Sequence, residues 1–559
     1  MKKMYFLVAA LLVLLSAACT NDHIDQDDDD GIVTDPTGEA WIALNVGPPT
    51  TSFSRALHDP DKIIGTTKES NVKKIRAIFF DGSEKVTADK TFTVGTDQEA
   101  GNPNQPEGDQ GKAFKVPASS KRILIIANPS PDLPVTSVGT TTYTVFNQAI
   151  LAVASLSGDE YFMMSNAKGG LEPSASNTDG TDANLVLYNS ASKAESQALS
   201  INVDRAVAKV RVYTDNTGIS SNNTKANISE PGWVLNATNK KYFPVSKREK
   251  TWYETQPRGC ITPFDQYKLG SYRIDPNYDN QPTVLPPAFT DYLKDYNYYL
   301  DATDVPAGAW HPTDASSDNA EYCLENTQTE DHNVWAYTTQ VLFKVIFSPK
   351  GLQTPDKNVY DNPADFVNAG ALDPGKDWLM VNGGYYTWNL LMDYIKAELT
   401  FKFQSEDNDP TIIHNTALTN ALNNYLEAIN EVKVPIDRNN ARSPEEQAGD
   451  IVDAFNVKKN AVTTHGADRH GTVSYYVGGV NYYPIMIKHD DSGDVYNELG
   501  EFGVVRNSVY DVNISRVNNP GYPNIPEPDP GTKDEDEDNY LSIRINVNPW
   551  TWYTQTEEL

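Results

Sequence analysis

The tail YLSIRINVNPWTWYTQTEEL constrains the fold more than any other segment. Leu541, Ile543, Ile545 and Val547 alternate strictly with Ser542, Arg544 and Asn546, which is the pattern of a β-strand that buries one face. Ahead of it, residues 520–539 read GYPNIPEPDPGTKDEDEDN, a run of proline and then acid that predicts an extended, self-repelling linker. A strand of this kind needs a sheet, because four apolar side chains left in water form an aggregation-prone edge. Burying them is worth roughly 6–12 kcal/mol before entropy costs. Periodicity leaves two outcomes open: the tail folds back into its own domain, or it adds to an exposed edge of a neighbour.

The rest of the chain is predicted to be strands. Thirty Tyr, 35 Pro and 34 Gly, with abundant Thr, Asn and Val, describe many short strands joined by turns. Strands are expected at VKKIRAIFF from Val72, KTFTV from Lys90 and KRILIIA from Lys121, each closed by turn residues such as Asp81-Gly82 or Asn128-Pro129. LSINVDRAVAKVRVY, Leu199 to Tyr213, predicts one long or bulged ribbon whose phase shifts near Asp204 and Arg205. The Asn-, Ser- and Gly-rich stretch that follows suggests a domain boundary at 215. Further strands are expected at 341–349, 475–489 and 504–515. Two helices are predicted between them, one from Leu418, Leu422, Tyr425 and Ile429, the other from the capping box at Ser443-Pro444-Glu445-Glu446. A chain of 559 residues exceeds one typical domain.

The start of the chain has the layout of an export signal: Lys2 and Lys3, an apolar run from Met4 to Leu15, then small residues ahead of Cys19. That run is too short to span a bilayer as a helix. Cys19 suits a peptidase that cleaves before a lipid-bearing cysteine, although Ser16 stands where the motif usually has Leu. An ordinary cleavage site with an incidental Cys is the alternative. The acidic stretch after Cys19, with Asp27 to Asp30 in a row, predicts a solvated leader and fails as an EF-hand loop.

A formal net charge of −30 excludes nucleic acid as a natural partner. Cys260 and Cys323 allow at most one internal disulfide, and the sequence leaves their pairing open. No G-x-S-x-G, H-E-x-x-H or Cys-x-x-Cys motif is present. The segment Gly370 to Asp377 fails as a phosphate loop because Asp377 stands at the Ser/Thr position, and His465 and His470 around Asp468 lack a third ligand. No enzyme activity, cofactor or metal is expected.

Taken in order, several segments resemble the fimbrillins of the type V pili of Bacteroidales bacteria, close to the short-fimbria shaft subunits of the major fimbrial subunit family. They are the Cys19 signal, KRILIIANPS at 121–130, YFMMSN at 161–166, VDRAVAKVRV at 203–212, GWVLNATNKKYF at 232–243, YCLENT at 322–327, TTQV at 338–341, YYVGGVNYYPIMIKH at 475–489, and FGVVRNSVYDVNIS at 502–515 before INVNPWTW. The resemblance implies an all-β chain of two tandem transthyretin-like β-sandwich domains, 56–214 and 215–519, with a small helical insertion in the second and a C-terminal donor strand at 540–559.

It further implies a lipoprotein, anchored in the outer membrane through palmitoylated Cys19, whose propeptide, 19–55, is removed by an Arg-specific surface protease. The bond Arg55-Ala56 lies in a suitable Pro-flanked stretch. Loss of the short strand with Trp41, Ile42, Leu44 and Val46 would then open a groove. The donor strand of the next copy, with Leu541, Ile543, Ile545 and Val547, would fill it. Partners are thus copies of the chain, other fimbrial subunits, and host or bacterial surface ligands, in a cell-surface fimbrium serving adhesion and biofilm formation. A non-polymerising surface lipoprotein that binds glycan or a host ligand is the alternative.

Overall fold

The computed structural model describes residues 30–47, 65–104, 110–158, 161–166, 185–214, 219, 225–248, 272–278, 294–314, 319–355, 366–368, 370–408, 417–428, 436, 442–464, 473–490, 497–534 and 541–549. Two large apolar cores organise them, each built mainly by strands.

The first core is covered by a six-stranded sheet. Its members are β2 (Leu44–Gly47), β3 (Lys74–Phe80), β4 (Val86–Thr93), β6 (Arg122–Ala127), β7 (Met164–Asn166) and β8 (Leu199–Arg205), in the order β2-β8-β7-β6-β3-β4. Beside it, β1 (Glu39–Ile42) pairs antiparallel with β5 (Phe114–Pro117). The expected strands at 72, 90 and 121 are present, and the second begins earlier, at Val86. In the near-continuous apolar run of β6, Ile123 to Ala127 are all buried, as a central strand requires.

Ala206 divides the long ribbon. On one side β8 joins the first sheet, while β9 (Val207–Thr214) pairs parallel with the strand Ser508–Val517 in a second sheet. The change of phase predicted near Asp204 and Arg205 is therefore a change of sheet, and packing passes from the first core to the second between Val207 and Ala208.

The second core lies between two sheets. One, numbered in chain order, contains β9, β11 (Glu321–Leu324), β17 (Ser508–Val517) and β18 (Leu541–Pro549), in the order β11-β9-β17-β18. The other has β10 (Ala226–Asn236), β12 (Gln340–Pro349) and β16 (Val480–Met486), in the order β10-β12-β16. Trp233, Phe343, Phe347, Val210, Val212 and Tyr510 fill the space between them.

A third cluster is the helical insertion. Strands β13 (Trp378–Val381), β14 (Gly384–Tyr386) and β15 (Val473–Tyr476) carry α2 (Trp388–Asn408), α3 (Ala417–Ala428) and α4 (Pro444–Thr464). Both predicted helices are present, and Ser443 and Glu446 exchange the two capping-box bonds at 2.7 and 3.2 Å. Helix α2 was not anticipated, although Leu391, Ile395 and Leu399 recur at helical spacing and are fully buried. The run 475–489 is broken where Gly478 and Gly479 adopt positive φ, which turns β15 into β16 and a different sheet.

Residues 520–534, read from sequence as part of a self-repelling linker, meet β16 at Tyr522 and the segment 333–335 at Thr532 to Asp534. Tyr522 pairs with Tyr482, and Ile525 and Asp534 are buried. Tyr522 and Ile525 here join an apolar cluster with Trp335, Tyr482 and Met486.

The two cores are joined by a buried polar cluster around α1 (Thr67–Ser70). The Glu69 carboxylate accepts from Lys209 Nζ at 2.6 Å and from the Tyr322 hydroxyl at 2.6 Å, while Arg205 Nε donates to the Glu69 carbonyl at 2.8 Å. Burial alone would raise the Glu69 carboxyl, but the Lys209 and Tyr322 hydrogen bonds hold it below its ordinary range.

Candidate functional site

The segment Trp41 to Val46 is one strand that serves two partners. Its first half, β1, runs antiparallel to β5, with Trp41 opposite Lys115 and Ile42 opposite Phe114. Trp41 also exchanges both backbone bonds with Tyr188, at 2.8 and 2.9 Å. Its second half, β2, runs parallel to β8, with Leu44 opposite Leu199, Asn45 opposite Ser200 and Val46 opposite Ile201.

Alternation puts Ala40, Ile42, Leu44 and Val46 on the core side. Ile42, Leu44 and Val46 are only 1%, 2% and 3% exposed. Their burial stabilises the first core by roughly 5–9 kcal/mol, at about 1.5–3 kcal/mol each. Because β2 is the outermost strand of its sheet, removing it would uncover one row of β8 backbone groups and one strip of core. On the solvent side, Lys115 Nζ lies 3.4 Å from Glu39 Oε2 and 5.3 Å from the centre of the Trp41 ring. Sequence reasoning missed this lysine, because nothing local marks it as the partner of a distant strand.

The tail strand β18 occupies a different place. It pairs antiparallel with β17 of its own chain, with Leu541 opposite Val517, Ile543 opposite Ile514, Ile545 opposite Val512 and Val547 opposite Tyr510. It is the outermost strand of the second-core sheet. The fold-back outcome is thus the arrangement present within this chain.

Set side by side, the two edge strands share a sequence. Residues 42–48 read Ile-Ala-Leu-Asn-Val-Gly-Pro and residues 543–549 read Ile-Arg-Ile-Asn-Val-Asn-Pro, identical at four of seven positions with Leu44 against Ile545 at a fifth. This match was available from the sequence alone, and it superposes Ile42 on Ile543, Leu44 on Ile545 and Val46 on Val547.

Cys19, Arg55, Ala56, His465, Asp468, His470 and Cys260 lie outside the described residues. Cys323 is buried, and burial pushes its thiol well above the ordinary range. Among the described residues, no group of three or more His, Cys, Asp or Glu side chains could hold a metal ion. A cavity of about 600 Å³ opens where the two cores meet, lined in part by Leu151, Leu156, Val207, Lys240, Lys294 and Tyr322.

The model for the major fimbrial subunit protein (FimA) matches residues 58–229, and that for the C-terminal part of the type IV major fimbrial subunit protein, fimbrillin, matches 474–556. These two matches, which together span less than half of the chain, support a structural role in a cell-surface fimbrium assembled from such subunits.

Among solved structures, it is similar to a fimbrilin (FimA) from Porphyromonas gingivalis at 12% identity, covering 92% of this chain and 99% of that one with a TM-score of 0.36. It is also similar to the tip fimbrial protein Mfa3 from Porphyromonas gingivalis, at 9% identity, 92% and 100% coverage and a TM-score of 0.31. The family models, rather than these low scores, carry the assignment. No curated protein matches the chain.

Proposed function

We propose that the chain is a pilus subunit exported as a lipoprotein, cut after Arg55 by an Arg-specific protease, and polymerised by strand exchange. The observation that carries this reading is the shared heptad. The buried edge strand Ile42 to Val46 and the tail Ile543 to Val547 offer the same apolar alternation, so one can replace the other against β8. Before cleavage the chain's own strand occupies the groove and the tail rests on β17. After cleavage the groove takes the tail of the next copy. That contact joins unlike surfaces head to tail, so it propagates into a filament.

The test is size-exclusion chromatography with electron microscopy on the mature full chain, before and after limited trypsin, beside a variant ending at Asn539. Filaments should require both cleavage and the tail, and N-terminal sequencing of assembled material should begin at Ala56. Register is checked with the double variant Ser200→Cys and Asn546→Cys. Because Asn45 stands opposite Ser200 in the intact chain, Asn546 of a neighbour should take that place and form disulfide ladders after cleavage.

The pairing of the tail with β17 of its own chain, together with the cavity between the cores, favours a second reading: a non-polymerising lipoprotein that binds glycan or a host ligand. A chain that stays monomeric after confirmed cleavage at Arg55 would establish it in place of the first.

A further inference from the structure

The edge that the first strand leaves behind is basic, and the segment just ahead of the tail strand is acidic. Resting on the strand-exchange reading, we propose that Lys115 and Lys121, with Lys112 adding to the positive field along the edge, form an electrostatic entry to the groove that captures residues 535–538 of a second copy of this chain.

Three observations place the lysines. Lys115 lies on β5, and its ion-pair and ring partners, Glu39 and Trp41, both belong to the segment that cleavage would remove. Cleavage therefore unmasks this charge at the moment the groove opens. Lys121 follows the turn in which the Ala118 N–H donates to the Gly38 carbonyl at 3.0 Å; it is exposed and has no ion pair among the described residues. Lys112 marks the other end, next to Gly111, whose N–H donates to the Leu44 carbonyl at 2.9 Å. Glu195, 3.7 Å from Lys112, offsets part of its charge.

The shared heptad fixes what meets these lysines. With Ile543 standing where Ile42 stands, Tyr540 takes the place of Glu39 and Asn539 that of Gly38. Glu535, Asp536, Glu537 and Asp538 then arrive at the Lys121 end of the edge. The full chain carries a formal net charge of −30, of which residues 1–55 hold only eight acidic against three basic side chains, so cleaved copies remain strongly acidic and repel on average; association needs a local attraction of this kind to align the tail with the groove. Charges at such a rim act mainly on the rate of joining and on its salt dependence.

The experiment follows elongation of trypsin-cleaved full-length protein by light scattering, from about 50 to about 500 mM salt, where screening shortens from beyond 10 Å to a few ångström. Elongation should slow steeply as salt rises. The triple variant Lys112→Glu, Lys115→Glu and Lys121→Glu should elongate roughly tenfold or more slowly at low salt. Adding Glu535→Lys, Asp536→Lys, Glu537→Lys and Asp538→Lys to the same chain should restore the rate. A second set, with Gln at the three lysine positions and melting curves for every variant, separates lost charge from lost folding. A wild-type rate in the triple Glu variant, or elongation indifferent to salt, overturns the proposal and leaves strand exchange standing. Absence of elongation in the cleaved wild-type protein at every salt overturns both.

Discussion

The first and last strands of this chain carry nearly one sequence and sit in opposite circumstances. The strand Trp41 to Val46 is sealed into the first core, held by β5 and Tyr188 along one half and by β8 along the other. Its counterpart β18 lies on the rim of the second-core sheet, antiparallel to β17. The first pairs with β8 in parallel, the second with β17 in antiparallel fashion. A strand's alternation decides which face it buries, while the edge it meets decides its direction and how much it contributes. The two sites are therefore distinguishable by substitution even though the segments are alike.

The largest effect is expected from a charge in the tail. Ile545→Asp should abolish filament formation, because it would place an unpaired carboxylate where Leu44 is buried. Melting of the uncleaved monomer should change far less, since β18 lies at the rim of its sheet. Electron microscopy and thermal melts on the same preparation check this. If the monomer unfolds with the filament, the rim strand is as essential to its own chain as the first strand, and the contrast between them fails.

The reciprocal change is Leu44→Ala. It should destabilise the uncleaved chain by about 2–5 kcal/mol, the usual range for truncating a buried leucine. On the strand-exchange proposal Leu44 leaves with the propeptide, so filaments built from cleaved protein should be indistinguishable from wild type. Denaturant melts before and after cleavage measure both halves of the statement. A destabilisation that persists after cleavage would mean that the segment stays in its groove.

The contrast between the ends was half legible in the sequence. Strict alternation identified the tail as a strand, because a period of two is a local property, and the apolar run 41–46 read as a second short strand. The partners were not legible, since pairing with β8 or β17 depends on distant residues that no local pattern encodes. The same limit explains the ribbon at 199–213, where the phase shift was visible but the change of sheet at Ala206 was not. Residues 520–534 misled for another reason. Proline and acid predict a self-repelling linker, whereas Tyr522 pairs with Tyr482 of β16 and Ile525 is buried in the same apolar cluster. Helix α2 was passed over because aromatic and β-branched residues around Leu391 and Ile395 weaken its local helix signal.

A smaller effect tests whether the two edges are independent of the chain's buried polar interior. Asp275 is 1% exposed, and its carboxyl accepts from the backbone N–H groups of Asn277 and Thr327, each at 2.6 Å, and from Asn239 at 3.0 Å. Burial nevertheless pushes its pKa up from 3.8 to about 7, outweighing the hydrogen bonds that lower it. A carboxyl whose folded value lies above its unfolded value gives its full stability below the unfolded value. That stability is lost as pH rises through the folded one. Between about pH 4 and 7 the folded chain should therefore lose about 1.4 kcal/mol per unit, and level off above. Denaturant melts across this window should show the slope, and Asp275→Asn should remove this residue's share of it, leaving the share of Glu321, whose carboxyl burial also raises to about 7. Asp275 touches neither edge strand, so the slope should be the same before and after cleavage at Arg55. A slope that disappears on cleavage would show that emptying the first-domain groove reaches the second half of the chain, and the two edges would then have to be treated as one coupled system.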